Sequence, residues 1–263
     1  MRKNWIAAAV LGLLLNGCAG VQTAPTQAEK QALAPTGKLR GAFLTNQPAH
    51  ARKDPASGEL QGIAIDLGRE LARRIGVPFE AVTYPTPAAL VGSIKSGQWD
   101  IIFTGIIPSR AKDLDFSAPY IQIEMGYLVG KGSSISNISQ VDRPGVRIAV
   151  LEKGATDFLL TPTLKAATLV RTRTIAEAVD MVRSGQADAL AAIKTVMFSI
   201  TDRFPGLRVL DGRIGVEDIG IGVPKGRADG AGYIRKAVDE VKAEGFVKAT
   251  VERAAVRGLV AAP

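Results

Sequence analysis

The sequence motif Ser-Gly-Gln-x-Asp occurs twice in this 263-residue chain and constrains its fold more than any other feature. It stands at residues 96–100 and 184–188, and each copy follows a helical pattern and precedes a short apolar run. The second copy follows a predicted helix at 174–183 and precedes a predicted strand at 189–193. A recurring helix-then-strand unit predicts parallel strands, because parallel strands need crossover connections. The sequence therefore predicts an α/β protein with two similar lobes.

The segment after the first copy delivers an arginine to the edge of a sheet. The apolar run 101–103 is typical of a buried strand. Gly105 then allows a tight turn, and Pro108 fixes the backbone just before Arg110. Open α/β sheets bind ligands at the carboxyl ends of their strands, where a guanidinium can hold a carboxylate through two parallel hydrogen bonds. Most arginines are solvated surface groups, however, so both interpretations of Arg110 stay open on these residues alone.

A helix is predicted directly after Asp66. Leu67, Leu71 and Ile75 fall on one helical face, which indicates an amphipathic helix packed on the core. Asp66 is a good N-cap for this helix, and Gly76 is a good stop. The capping role explains Asp66 without any contact to a ligand.

Composition excludes several classes of function. The single cysteine, Cys18, and the single histidine, His50, exclude an internal disulfide, a Cys/His zinc site and a Cys–His nucleophile pair. His50 lies in a polar stretch and is predicted to be an exposed loop residue. The formal charge of +8 is scattered along the chain and aromatic residues make up 5%, so we expect no nucleic-acid partner. We also expect no cofactor, no metal and no catalytic residue.

The first 36 residues are predicted to stand outside the folded body. A basic start and the apolar run 5–15 are typical of a secretory signal, and the run is too short for a permanent transmembrane helix. It ends in Leu-Asn-Gly-Cys18, which resembles the lipobox of bacterial lipoproteins; an ordinary secreted protein is the alternative. The resemblance implies a signal peptide at 1–17, a lipid on Cys18 and a place at a membrane of the cell envelope, the outer one if the host has one. Residues 18–36 are predicted to be a flexible tether.

The sequence around Arg110 resembles a family signature. Residues 109–120 read S-R-A-K-D-L-D-F-S-A-P-Y, similar to the R-x-x-x-x-x-F-S-x-P-Y pattern of the family 3 extracellular solute-binding proteins. These are type II periplasmic binding proteins that feed polar amino acids and similar solutes to ABC importers. The resemblance implies a monomer with two lobes, each a mostly parallel sheet flanked by helices, joined by two hinge strands. The implied ranges are 37–130 and 219–263 for lobe 1, 131–218 for lobe 2, and 121–129 and 219–223 for the hinge strands.

The same resemblance assigns ligand-binding roles. It implies that Arg110 clamps the carboxylate of the ligand, with Gly105 and Ile106 beside it. The turn that contains Ala155 and Thr156 resembles the G-[ST]-T turn of the family, in which a backbone amide and the threonine hydroxyl share that carboxylate. The alternative for Thr156 is a plain helix cap, and one hydroxyl can serve both roles.

The resemblance weakens where the family holds the amino group of its ligands. Amino-acid receptors commonly carry an aspartate about five residues after the Asp-Ala pair at 188–189, but this chain has Ile193 and Lys194 there. A lysine repels an ammonium group and cannot accept a hydrogen bond from it. Glu124 and Asp157 are the candidate substitutes. If Lys194 lines the cleft instead, the sequence predicts a non-amino organic acid as the ligand.

The function predicted from these residues is binding and delivery of a solute. The chain would be a lipoprotein receptor that captures a small carboxylate solute, foremost an amino acid or derivative, between two closing lobes and passes it to an ABC permease. The alternatives are a receptor for a non-amino organic acid, a dehydratase-like enzyme on the same fold, and an accessory or sensor protein. The enzyme would need Glu124 or Asp157 as a general acid, and no spacing singles out an acid–base pair, so no catalysis is expected.

Overall fold

Helices and strands alternate along the described part of the chain. The computed structural model describes residues 24–45, 47, 50–54 and 56–263; the predicted signal peptide 1–17 and Cys18 lie outside these residues. The helices are α1 (Gln27–Leu33), α2 (Ile63–Ile75), α3 (Pro87–Gly92), α4 (Pro108–Ala111), α5 (Ala155–Leu160), α6 (Ile175–Arg183), α7 (Lys194–Arg203), α8 (Ala228–Ala243) and α9 (Phe246–Ala254). The strands are β1 (Leu39–Leu44), β2 (Arg52–Lys53), β3 (Leu60–Gln61), β4 (Phe79–Tyr84), β5 (Ile101–Gly105), β6 (Leu114–Phe116), β7 (Ile121–Gly130), β8 (Arg147–Leu151), β9 (Thr168–Thr172), β10 (Ala189–Ile193), β11 (Leu207–Val209), β12 (Gly215–Pro224) and β13 (Leu259–Ala261).

Two parallel sheets meet at a pair of long antiparallel strands. The strand order is β4-β1-β5-β12-β7-β10-β8-β9. β1 is parallel to β4 and β5, and β8 is parallel to β9 and β10. β7 and β12 are antiparallel to each other and to the strands beside them. We call the β4-β1-β5 sheet with its helices lobe 1, and the β10-β8-β9 sheet with its helices lobe 2. The predicted fold class, two α/β lobes joined by two strands, is confirmed.

The strands β7 and β12 connect the lobes. Each has 10 residues, which is long for a strand and sufficient to extend from one sheet into the other. β12 pairs with β5 of lobe 1 through residues 219–222 and with β7 through residues 215–219. β7 in turn pairs with β10 of lobe 2 through residues 125–128. The hinge strand predicted at 219–223 therefore begins earlier, at Gly215, and the residue limits predicted for the lobes stay a prediction.

The aspartate of the repeated Ser-Gly-Gln-x-Asp motif makes the same contacts in both lobes. In lobe 1, Asp100 accepts hydrogen bonds from the backbone N–H of Arg40 at 3.1 Å and from its Nε and Nη2 at 2.9 Å each. In lobe 2, Asp188 accepts from the backbone N–H of Arg147 at 2.8 Å and from its Nε and Nη2 at 3.0 Å each. Each aspartate thus ties the start of its own strand to the neighbouring parallel strand. The repeat in the sequence reflects a repeated structural unit.

Aromatic rings fix the strands beneath the cleft of lobe 1. The rings of Phe43 on β1 and Phe103 on β5 stack with centroids 4.6 Å apart. Tyr120, just before β7, meets Phe103 edge-on at 6.1 Å. All three side chains are fully buried, and helices α2, α8 and α9 cover the same core. This packing holds the carboxyl end of β5, and with it the arginine that follows, in one position.

The N-terminal tether prediction is wrong for residues 27–33, which form α1. Thr26 and Glu29 make a complete capping box, in which the Thr26 side chain accepts from the Glu29 N–H and the Glu29 carboxylate accepts from the Thr26 N–H. α1 packs on α8, and Leu33 is 0% exposed within the lobe 1 core. A capping box followed by a buried leucine is a helix signal, and the composition of the segment concealed it. Residues 18–23 of the predicted tether lie outside the described part.

The cap predicted for α2 is also corrected. The helix begins at Ile63, with Gly62 as its N-cap residue, so Asp66 lies inside the first turn. There Asp66 pairs with Arg253 of α9 at 2.7 Å, and its negative charge is favourable near a helix N-terminus. Within the residues that the structure describes, none of the helices has the length and apolar character needed to cross a membrane.

Candidate functional site

A cavity of about 260 Å³ lies between the two lobes. Lobe 1 contributes the ends of β1 and β5, the start of α3 and the arginine of α4; lobe 2 contributes the ends of β8 and β10 and the starts of α5 and α6. Strand β12 contributes Glu217. The lining residues are Leu44, Thr45, Gln47, His50, Pro85, Thr86, Pro87, Thr104, Gly105, Arg110, Leu151, Gly154, Ala155, Thr156, Thr174, Ile175, Ala176, Ala191, Ala192, Ile193, Val196 and Glu217.

Arg110 is a buried cation without an ionic partner among the described residues. Its side chain is 4% exposed; Nη1 donates to the Gly105 carbonyl at 3.2 Å, and Nη2 donates to the Lys153 carbonyl of lobe 2 at 3.4 Å. Its Nε has no partner in the described structure. Burial lowers the pKa of Arg110, and the carboxylate of Glu217 acts in the opposite direction. A guanidinium stays protonated in proteins, so this site holds a buried positive charge that makes no close ion pair with a described residue.

Glu217 is an acid that the sequence analysis missed. It lies on β12, and its carboxylate is directed at Gly105 and the cavity. A Cβ atom on Gly105 would overlap Oε1 of Glu217 and would come within 3.1 Å of Nη1 of Arg110, so both charged groups adjoin the same point. Burial raises the pKa of Glu217, while the positive charge of Arg110 opposes that shift. The signal that could have found it is the period of two along β12, since Glu217 shares its face with the buried Ile219 and Ile221.

His50 lies against the cavity, and its predicted exposure is wrong. It is 2% exposed, and its ring Nδ1 has no partner among the described residues. The turn that carries it folds back onto Gly62, where a Cβ would overlap the His50 carbonyl and where φ is 141°. Only glycine fits that position without strain. Burial first, and then the positive charge of Arg110, lower the pKa of His50 to about 4, so the imidazole is neutral at neutral pH.

The predicted turn of lobe 2 reaches the cavity. Ala155 and Thr156 both line it, and the Thr156 hydroxyl donates to the Ala191 carbonyl at 3.3 Å. Asp157 is turned away: it pairs with Arg171 at 3.0 Å and accepts from the Lys153 N–H at 3.0 Å. Asp157 therefore stabilises the turn whose Lys153 carbonyl meets Arg110.

Three of the predicted site residues do not line the cavity. Lys194 and Glu124 pair with each other, with Nζ and Oε2 2.8 Å apart, and this contact lowers the pKa of Glu124. Ile106 packs against Gly220 of β12. The cavity does bring together Arg110 and the other predicted residues Gly105, Ala155 and Thr156. In the described part of the chain, no cluster of three or more His, Cys, Asp or Glu side chains could hold a metal ion.

Among the described residues, the site offers one permanent cation, Arg110, and one acid, Glu217, side by side and surrounded by mostly uncharged residues. Such an arrangement can hold a small molecule that carries both an anionic and a cationic group. The two candidate general acids, Glu124 and Asp157, are both engaged in ion pairs outside the cavity.

Comparisons with known proteins point in the same direction. The family model of bacterial extracellular solute-binding proteins, family 3, matches residues 41–254. The ABC transporter glutamine-binding protein GlnH of Bacillus subtilis is 28% identical over 201 residues, which cover 73% of this chain and 72% of that protein. The L-arginine-binding protein of Pseudomonas aeruginosa is 28% identical over 214 residues, covering 76% and 81%. A crystal structure of an ancestral amino-acid-binding protein, a precursor of cyclohexadienyl dehydratase, superposes with a TM-score of 0.72 at 26% identity and covers 85% of this chain and 98% of its own.

Proposed function

This chain belongs to the bacterial extracellular solute-binding proteins, family 3, and from that premise we propose that it is the amino-acid receptor of an ABC transporter. In this proposal the cavity between the lobes binds one amino acid, and Arg110 holds its carboxylate. The names of the curated relatives, a glutamine-binding and an L-arginine-binding protein, support amino acids as the class of ligand.

The observation that carries the proposal is the buried guanidinium of Arg110, which makes no ion pair within 4 Å among the described residues and leaves its Nε unused. A buried charge costs several kcal/mol unless it is paired, and the described residues give Arg110 two long hydrogen bonds to carbonyls and no ion pair. A ligand carboxylate would supply the missing partner, and the free Nε adds a donor that the protein leaves unused. Bidentate pairing with a carboxylate is the interaction for which the guanidinium is best suited.

The two-lobed form of the cavity suggests how the ligand would be retained. Arg110 of lobe 1 contacts the Lys153 carbonyl of lobe 2, and Thr156 of lobe 2 lines the same cavity. Closure of the lobes around a ligand excludes water, which strengthens the contact between guanidinium and carboxylate. In the proposal the closed form then docks on the permease.

We also propose that Cys18 carries a lipid that keeps the receptor at the membrane, as the Leu-Asn-Gly-Cys18 pattern indicates. Because α1 is packed on α8, the connection runs only from Cys18 to Gln27. Nine residues span about 30 Å when fully extended. The anchor would therefore hold lobe 1 close to the membrane surface. Cys18→Ser is expected to release the receptor from the membrane fraction.

The alternative of a non-amino organic acid receptor gains no support from Lys194, which is paired with Glu124 outside the cavity. The dehydratase-like enzyme loses its two candidate acids, Glu124 and Asp157, to ion pairs. The accessory or sensor protein would share the same site, and it would be favoured if loss of the protein had no effect on solute uptake.

The test is the substitution Arg110→Met, which keeps an unbranched apolar side chain and removes the guanidinium with its charge. The matched control is Arg73→Met on the exposed face of α2, where Arg73 pairs with Glu70. The twenty L-amino acids are screened by thermal shift against both variants and the wild type. Saturation at 100 times the dissociation constant should stabilise the wild type and the control by about 2.7 kcal/mol and leave Arg110→Met unchanged. Equal binding by Arg110→Met, or no binding of any amino acid by the wild type, would refute the proposal.

A further inference from the structure

The charges that line the cavity restrict which amino acid it can take. Among the described lining residues, Glu217 is the one acidic side chain and Arg110 the one permanently charged base. His50 is neutral at neutral pH because its pKa is lowered to about 4. A ligand with one positive and one negative group therefore matches the cavity, whereas a third charge finds no partner there.

The carboxylate of Glu217 is available to a ligand. It makes no hydrogen bond with any described residue, although its neighbours Arg110 and Tyr120 act on it electrostatically. A Cβ atom on residue 105 would overlap Oε1 of Glu217 and would lie 3.1 Å from Nη1 of Arg110, so the absence of a side chain at Gly105 lets the two charged groups lie close together. The ammonium and carboxylate groups of an α-amino acid are attached to one carbon atom. An acid and a guanidinium that lie close together and both line the cavity are complementary to that arrangement.

The remainder of the cavity suits an uncharged side chain. Apolar contacts come from both lobes, chiefly from Leu44, Pro85, Leu151, Ile175 and Val196. The volume of about 260 Å³ lies below the range of about 300–1,000 Å³ that is typical of pockets for drug-sized ligands. A charged ligand side chain would be buried here without a counter-ion among the described lining residues, which is strongly unfavourable.

Four of the five threonine hydroxyl groups among the described lining residues, all but that of Thr104, already take part in the protein's own hydrogen bonds. Thr45 donates to the Tyr84 carbonyl at 3.2 Å, and Thr156 donates to the Ala191 carbonyl. Thr86 and Thr174 cap their helices by accepting a backbone N–H at 3.2 Å each. These groups are held in the protein's own hydrogen bonds, which leaves Arg110 and Glu217 as the groups that select the ligand by charge.

We propose that the ligand is a neutral α-amino acid, with one carboxylate, one ammonium group and an uncharged side chain, and that Glu217 holds the ammonium group. The proposal rests on the proposed function, because Arg110 must hold the carboxylate at the same time. It assigns to the hinge strand β12 the role that the sequence analysis sought in Glu124 and Asp157. It also separates this chain from an L-arginine-binding relative, since a second cationic group would meet no second acid among the described lining residues.

Isothermal titration calorimetry on the wild type, Glu217→Gln and Glu124→Gln tests this assignment. Glu124→Gln is the control, because Glu124 pairs with Lys194 outside the cavity. The probes are L-alanine, L-leucine, L-methionine and L-glutamine, then L-arginine, L-lysine and L-glutamate, and finally the 2-oxo acid of the same carbon skeleton as the neutral amino acid that binds best. The wild type should prefer a neutral amino acid to every charged one by about 100-fold or more. Glu217→Gln should weaken that binding by about 30-fold or more, and the control should not.

The 2-oxo acid distinguishes a contact with the ammonium group from a structural role. It has the same carboxylate but no ammonium, so Glu217→Gln should bind it as tightly as the wild type does, or more tightly. Preference of the wild type for L-arginine, L-lysine or L-glutamate would overturn the proposal, and so would undiminished binding of the neutral amino acid by Glu217→Gln. If binding survives Glu217→Gln but is lost in Arg110→Met, the inference fails and the proposed function stands. If binding survives Arg110→Met, the proposed function itself fails.

Discussion

The buried imidazole of His50 should make the protein sensitive to acid within a defined range. An ordinary histidine has a pKa near 6.5, and burial next to Arg110 lowers that of His50 to about 4 in the folded state. The folded protein then binds fewer protons at this residue than the unfolded chain between those two pH values. The stability that results is fully present above about pH 6.5 and is lost as the pH falls toward 4. The difference between pH 7 and pH 4.5 should be roughly 2.5 kcal/mol.

Urea unfolding of the ligand-free wild type and of His50→Gln at pH 7.0, 5.5 and 4.5 measures this difference. Burial raises the pKa of Glu217, so the contribution of Glu217 to stability changes with pH in the opposite direction. Its buried carboxylate ionises and destabilises the fold as the pH rises above 4.5. That contribution is present in both proteins and cancels in the comparison. The wild type should lose about 2 kcal/mol more than His50→Gln between pH 7.0 and 4.5.

A second measurement needs no variant. His50 is the one histidine in the sequence, so its ring protons give a single, directly assigned NMR signal. In the folded protein that signal should not shift between pH 8 and pH 5, whereas an exposed histidine titrates through the middle of this range. A titration with a midpoint near 6.5, or identical losses of stability in the two proteins, would refute the burial argument.

Two further substitutions test the placement of the site and of the N-terminal segment. Gly105→Ala should displace the Glu217 carboxylate and so reduce the affinity for the amino acid measured by calorimetry. The control is Gly232→Ala in α8, where a Cβ meets no atom within 4 Å. This control should keep the affinity and stabilise the fold by about 0.5–1 kcal/mol. Leu33→Ala should lower the free energy of unfolding in urea by about 2–5 kcal/mol, because α1 is part of the lobe 1 core. Its control Val260→Ala, at a residue that is 55% exposed, should change that free energy by less than about 0.5 kcal/mol. Equal effects of the two variants within either pair would contradict the packing described.

The sequence predicted those features that depend on local patterns. The repeated helix-then-strand device correctly implied two α/β lobes, because Asp100 and Asp188 make the same local contacts in each. The positions of Arg110 and Thr156 in the cavity also followed from short motifs near strand ends. The capping box from Thr26 to Glu29 was equally local, and the low-complexity composition around it led to the wrong prediction.

Contacts between residues distant in the chain could not be predicted. Lys194 and Glu124 are 70 residues apart, and their ion pair depends on how β10 pairs with β7. The burial of His50 depends on a turn that folds back onto Gly62, which no periodic pattern indicates. A charged residue that finds a partner in the fold is thereby removed from the list of ligand contacts.

The position of Glu217 on a hinge strand has a consequence for the order of binding events in the proposed site. Arg110 follows β5, and β12 pairs with β5 through residues 219–222, which begin two residues beyond Glu217. The two charged groups are therefore fixed relative to each other by one sheet, whatever the distance between the lobes. An acid at the end of β10 would instead approach Arg110 only when lobe 2 closes. The zwitterionic part of the ligand can thus be held first by lobe 1 and the hinge, and closure then adds Thr156 and the apolar contacts from lobe 2.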